Sequence, residues 1–198
     1  MSLFDYDGIF MRVCNFISNS FLITILWIIT SLPILTIGAS TTAAYEVSFN
    51  FIRKNEGSII SQYFRSFKRN MKQTIPTGII ILFLILNGVF FSLNPGLSKQ
   101  MGTIFSTIYL VLMVELILIG IYVFPLLSKL KCDGLELLKV AFIMSHTNLL
   151  SSIMCLGLLI SIVIMIVCWP PLVLMGVGLY CLSSSFYINR LFNKYHLI

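Results

Sequence analysis

Between Lys139 and Arg190 the chain runs 50 residues without an Asp, Glu, Lys or Arg. A helix needs about 20 apolar residues to cross the hydrocarbon of a bilayer, so this single gap is long enough for two crossings. Trp169-Pro170-Pro171 divides it, because consecutive prolines cannot continue a helix and Trp favours the membrane interface. Three more gaps have the same character. Arg12 to Glu46 encloses 33 uncharged residues, Lys72 to Lys99 encloses 26, and Lys99 to Lys129 encloses 29 broken only by Glu115. The predicted fold class is an all-α polytopic transmembrane helix bundle, a single membrane domain over residues 1–198. Its five spans are expected at about 18–40, 75–93, 103–125, 150–168 and 172–189. Six spans, with Pro33 turning the chain between two short helices, is the alternative. Composition agrees: 10% of residues are charged, against roughly a quarter in a soluble domain.

Basic residues orient such a bundle, since cytoplasmic loops collect Lys and Arg. The loop 53–72 carries Arg53, Lys54, Arg65, Lys68, Arg69 and Lys72 against Glu56. The loop 126–146 carries Lys129, Lys131 and Lys139 against Asp133 and Glu136, and the tail carries Arg190 and Lys194. All three are expected in the cytoplasm, which places the N-terminus outside with five spans and inside with six. The first residues, MSLFDYDG, put acids where a signal peptide needs bases, so the first span is expected to persist. FDYDGIFMRVCNFI at 4–17 reads as a short interfacial helix. The five cysteines form no CxxC and stand at no metal-ligand spacing to His146 or His196, so no metal site is expected.

A weak repeat supports five spans. YEVSFNFIRKNEG from Tyr45 and YVFPLLSKLKCDG from Tyr122 align at one constant offset, pairing Tyr45 with Tyr122, Lys54 with Lys131, Gly57 with Gly134 and Glu56 with Asp133. The stretch 18–52 then corresponds to the third span and forms one long helix kinked near Pro33. Parallel repeats of this kind occur in transporter folds.

Three stretches carry functional potential. In SIISQYFRSFKRNMK, residues Ile60, Phe64, Phe67 and Met71 make one helical stripe, with Arg65, Lys68, Arg69 and Lys72 off it. Glu56-Gly57-Ser58 ahead of it offers a turn and an N-cap. The stripe reads first as an amphipathic helix in the bilayer interface and second as a docking surface built from Glu56, Gly57, Phe64, Arg65, Phe67, Lys68 and Arg69. No base-reading motif accompanies it, so nucleic acid is not an expected partner. Residues Gly38, Ala39, Ser40 and Thr42, beside Pro33, suit close helix packing at a kink better than a hydroxyl-lined ligand site. Glu115 stands mid-span, where a carboxylate is costly and marks function by default. Asn87, at similar depth, is its expected hydrogen-bond partner. A neutral structural donor is the first reading of Glu115, and a proton- or substrate-coupling group the second. Glu46 reads as a membrane-edge residue. GxSxG, HExxH, P-loop and Rossmann fingerprints are missing, so no enzymatic activity and no cofactor are expected.

Several segments together resemble the YesL-like family of bacterial integral membrane proteins, a domain of unknown function. They are FDYDGIFMRVCNFI at 4–17, LWIITSLPILTIGASTTAAY at 26–45, RKNEG at 53–57, FRSFKRNMKQ at 64–73, YVFPLL at 122–127 and YINRLFNKY at 187–195. The resemblance implies a multi-span protein of the cytoplasmic membrane of Gram-positive bacteria, often found beside carbohydrate-uptake and glycan-degradation systems. It implies no catalytic or binding residues. Two functions follow as expectations. One is an accessory component of an ABC-type carbohydrate transporter, touching its permease or ATPase through 53–72. The other is an autonomous small-solute or proton-coupled transporter or channel, working as a homo-oligomer around Glu115.

Overall fold

The computed structural model of the protein describes residues 9–53, 57–93, 102–130 and 134–195. They form seven α-helices and two 3-10 turns, and no strand occurs among the described residues. The helices are α1 (Ile9–Ser31), α2 (Ile37–Ile52), α3 (Ile59–Leu93), α4 (Gly102–Lys129), α5 (Gly134–Thr147), α6 (Leu149–Cys168) and α7 (Val173–Lys194). Four stretches are long and apolar enough to cross a membrane: Phe10–Ser31, Thr107–Lys129, Leu149–Cys168 and Pro170–Lys194. The protein is a multi-pass membrane protein.

The long helix kinked at Pro33 is not what forms. Proline has no N–H to continue the ladder and pushes the residue before it out of the helical region, so α1 ends at Ser31 and a 3-10 turn, Ile34–Thr36, starts the return. Thr36 holds this turn: its N–H donates to the Pro33 carbonyl at 2.8 Å, and its hydroxyl lies 2.6 Å from the carbonyls of Thr30 and Pro33. Past the turn, Trp27 Nε1 donates to Thr41 Oγ1 at 3.1 Å and ties α1 to α2. The expected span 18–40 is therefore a hairpin of two helices. Residues 9–17 belong to α1 itself and do not form a separate interfacial helix.

Helix α2 is the centre of the bundle. Ten of its 16 residues are buried, Gly38, Ala39, Ser40 and Thr42 among them, because small side chains let neighbouring backbones come close on every side. At Gly38 an added Cβ would stand 3.1 Å from the Thr74 carbonyl oxygen on α3 and 3.6 Å from the Phe124 ring on α4. On the remaining side α2 meets α7, where Phe49 packs against Phe192 with ring centroids 5.6 Å apart.

The amphipathic segment and the stretch 75–93, expected as the second span, form one 35-residue helix, α3, with Pro76 inside it. Gly57, at φ 153°, supplies the backbone turn ahead of it, and the Ser58 carbonyl accepts the first helical bond from Gln62. The region 126–146, expected as a loop, is largely helical as well. Helix α5 folds back against α4 and buries Leu137, Ala141, Met144 and Ser145. At Asn148 the backbone leaves the helical region (φ −120°, ψ 52°) and α6 begins. Only Ser152 and Cys155 are buried in α6; its other faces are apolar and open, as suits a helix bathed in lipid.

Candidate functional site

Two groups of polar side chains stand out from the apolar bundle. The first joins α2 to the first half of α3. Helix α3 buries Tyr63, Ser66, Asn70 and Thr74 against α2, a stripe at helical spacing made of hydroxyl and amide groups. Buried polar groups need partners, and these form a directed chain. Asn70 Nδ2 donates to Ser66 Oγ at 3.2 Å. Ser66 Oγ donates in turn to Glu46 Oε2, and Arg69 Nη2 reaches the same oxygen at 2.6 Å. Asn50 donates to Gln62 at 3.0 Å one turn further along. Glu46, which the sequence marks only as a membrane-edge residue, is thus the acceptor at the end of the chain. The separation of Glu46 and Ser66 in sequence hides this pairing until the α2–α3 hairpin is known.

Tyr63 extends the polar group toward the Pro33 turn. Its phenol donates to the Ser40 carbonyl at 3.2 Å and stands 2.8 Å from the Thr30 hydroxyl. Burial pushes its pKa up to about 12, against the smaller opposing effect of the bonds to Thr30 and Ser40, so the phenol remains a donor at neutral pH. Around the end of α2, Arg53 Nη2 donates to Asn189 Oδ1 on α7 at 3.2 Å. The Lys129 ammonium lies 5.4 Å from the Phe49 ring centroid.

Burying the polar stripe turns the apolar one outward. Ile60 is 49% exposed, Phe64 46% and Met71 37%, and Arg65, Lys68 and Lys72 are beside them on the outer side. Phe67 departs from this face: it is half-buried and packs on the core. Gly57 lies at the start of the surface, whereas Glu56 lies outside the described residues.

The second group lies between α4 and α5. Glu115 Oε1 is 3.4 Å from His146 Nε2, because α5 doubles back along α4 far enough to bring His146 level with it. The other imidazole nitrogen, Nδ1, is 3.1 Å from the Phe142 carbonyl and 3.2 Å from Ser145 Oγ. A carbonyl only accepts, so the bond to Phe142 assigns a proton to Nδ1 and leaves Nε2 facing the carboxyl. Glu115 Oε2 is buried with no hydrogen-bond partner among the described residues. Asn87, the partner expected from sequence depth, instead donates to the Phe83 carbonyl of its own helix at 2.8 Å. Nothing in the sequence marks His146 as the partner, since it lies far along the chain from Glu115 and outside the expected span.

The two tyrosines of the repeat, Tyr45 and Tyr122, are wholly buried. Tyr45 Oη lies 3.1 Å from Ser184 Oγ on α7, and Tyr122 Oη lies 3.0 Å from Ser152 Oγ on α6. Gly57 and Gly134 each precede or open the following helix, while Lys54, Glu56, Lys131 and Asp133 fall outside the described residues. No group of three or more His, Cys, Asp and Glu side chains that could hold a metal occurs among the described residues.

A family model described as a protein of unknown function, DUF624, matches residues 21–94. That stretch is similar to the family from the middle of α1 to the end of α3, and it includes the Pro33 turn and the Glu46 chain but not Glu115 or His146. No curated protein and no solved structure matches the chain.

Proposed function

We propose that this protein is an accessory component of a larger membrane assembly, docking through the outward face of the first half of α3. One observation carries the reading: α3 turns its hydroxyl and amide stripe to α2 and leaves Ile60, Phe64 and Met71 outside beside Arg65, Lys68 and Lys72. A helix facing water alone would turn the other way. An apolar and basic face suits the cytoplasmic edge of a bilayer and an apolar, acidic surface on a neighbouring membrane protein. The YesL-like resemblance of the sequence supports the permease or ATPase of an ABC-type carbohydrate uptake system in the cytoplasmic membrane as that neighbour. Neither nucleic acid nor an enzymatic step belongs to this reading. The test is co-purification in mild detergent of the tagged chain expressed at native level. Replacing Ile60 and Phe64 together by Ser should remove the partner while the chain still inserts. Phe67 is left intact because it packs on the core. A partner recovered in undiminished amount with the double variant would sink the proposal.

A second reading rests on the Glu115–His146 contact: an autonomous proton-coupled transporter acting as a homo-oligomer. A carboxyl beside an imidazole inside a bundle is the pair of groups a proton path would use. Glu115→Gln would then abolish proton-coupled uptake in liposomes, and full activity of that variant would exclude Glu115 as the coupling group.

A further inference from the structure

Helices α6 and α7 do not close completely along their length. A groove of about 430 Å³ remains between them, lined by Leu158 from α6 and by Ser183, Phe186, Tyr187 and Arg190 from α7. This volume lies within the ~300–1,000 Å³ of ordinary ligand sites. The two helices run antiparallel, and Asn148 Nδ2 donating to Tyr195 Oη at 3.1 Å pins their shared end.

Position and charge together identify the occupant. Trp169, 70% exposed, stands at the far end of α7, where an interfacial Trp belongs. Lys194 stands at the near end, its ammonium 5.7 Å from the Tyr195 ring centroid. Arg190 is one helical turn before Lys194, about 6 Å further into the helix. It is exposed, and no carboxylate lies within ion-pair distance of it among the described residues. Tyr187 and Ser183 fall at successive turns above it and add two hydroxyls, while Phe186 and Leu158 supply apolar walls. On the face of α6 that carries Leu158, Met154 and Met165 are exposed and apolar as well. Entry is therefore from the bilayer rather than from water.

We propose that the α6–α7 groove binds one anionic phospholipid, its phosphate held by Arg190 with Tyr187 and Ser183, and its acyl chain lying along Phe186 and Leu158. The guanidinium fork matches a phosphate in a bidentate way that a lysine does not, and a basic pocket between helices on the positive side is the form such sites take. The occupant is a membrane lipid, because the groove offers apolar walls that a free phosphate would leave bare.

The test uses the full chain in phosphatidylcholine nanodiscs doped with a phosphatidylglycerol carrying a photoreactive acyl chain, and maps adducts by peptide mass spectrometry. Adducts should concentrate on residues 154–190 with the phosphatidylglycerol probe and not with the matching phosphatidylcholine probe. Arg190→Gln should lower that labelling about tenfold, the effect of losing one charge-assisted pair. Arg190→Lys should lower it less, and Phe186→Ala should shift the adduct positions. Equal labelling by both probes, or undiminished labelling of Arg190→Gln, overturns the proposal. So does displacement of the lipid by soluble glycerol phosphate at comparable concentration, which would make the groove a site for free anions. Thermal unfolding of each variant confirms that the fold is intact before labelling is compared.

Discussion

Gly178 stands at a close approach of α1 and α7. A Cβ built there would stand 2.0 Å from the Ser20 carbonyl oxygen, 2.6 Å from its carbonyl carbon and 2.7 Å from its Cα. These are backbone atoms of α1, so no side-chain rotation relieves the clash. The helices α1 and α7 must separate by more than about 1 Å, a gap that forfeits a quarter to a half of each affected contact. The bond from the Gly178 N–H to Thr24 Oγ1, 2.8 Å long, stretches with it. Gly178→Ala should therefore cost near the upper end of the ~1–3 kcal/mol of overpacking, offset by the ~1 kcal/mol that Ala gains over Gly in a helix. A net loss of about 2 kcal/mol lowers the unfolding temperature of a chain this size by roughly 4–8 °C. Fluorescence size-exclusion after a heating series in mild detergent reads this directly. Two glycines serve as controls. An added Cβ at Gly157 meets nothing within 4 Å, so Gly157→Ala should be neutral or slightly stabilising. At Gly176 it meets the flexible tip of Ile166 at 2.7 Å, so the cost should be small and Ile166→Val should relieve it. Ser20→Gly should not rescue Gly178→Ala, since the clash is with backbone. If Gly178→Ala melts with Gly157→Ala, the close approach of α1 and α7 is wrong.

Other substitutions separate the polar contacts by their surroundings. Glu46→Ala removes the acceptor of a buried Ser66 hydroxyl as well as the Arg69 pair, and should cost about 1–3 kcal/mol. Arg69→Ala removes only a pair whose arginine is 44% exposed, worth under about 1 kcal/mol and weakened further by salt; thermal melts with and without added salt distinguish the two. Tyr63→Phe should cost about 1 kcal/mol through the lost bonds to Thr30 and Ser40. It should also alter the alkaline limb of stability. The folded pKa of Tyr63 is raised, so its contribution is complete below the unfolded value of 10.0 and is lost as pH climbs toward about 12. The phenylalanine variant should lose less stability across that window than the parent, as followed by unfolding at stepped pH. Trp27→Phe removes the side-chain bond that ties α1 to α2 and should lower stability by about 1 kcal/mol, read by the same melts.

The membrane class and the bounds of three helices are legible in the sequence because they rest on apolar length and on breakers of one kind: α4, α6 and α7 start or end within a few residues of where charges and the Trp169-Pro170-Pro171 break put them. Pro33 is ambiguous for a physical reason. A proline in an apolar run either kinks a helix or ends it, and what decides is the partner met on the other side, here Thr41 for Trp27 and the two carbonyls for Thr36. The apolar stripe of 58–72 is plain as a stripe, but its direction is not in the pattern. In water the apolar side would go in; in this bundle α2 offers Glu46, Asn50 and the Ser40 carbonyl, so the polar side goes in. Glu115 is visible as a costly group, while its partner depends on α5 folding back, which the charged residues Lys139 and Glu136 disguise as a loop.

The two polar groups are related through the repeat, and the relation separates their chemistry. Arg69 and His146 stand at the same offset as Tyr45 and Tyr122. Each base is carried by the helix that follows a buried tyrosine, and each faces a carboxyl on the helix before it. The carboxyls do not keep the offset. The position matching Glu46 is Val123, and Glu115 lies about two turns earlier, roughly 12 Å along the helix. In the first unit the acid meets a guanidinium and a hydroxyl. In the second it meets an imidazole, leaves Oε2 without a bond among the described residues, and sits near the interruption at Asn148 where the first unit has the unbroken α3. The Glu46 chain therefore holds the first half of α3 against α2, whereas the Glu115–His146 contact stands near the joint between α5 and α6.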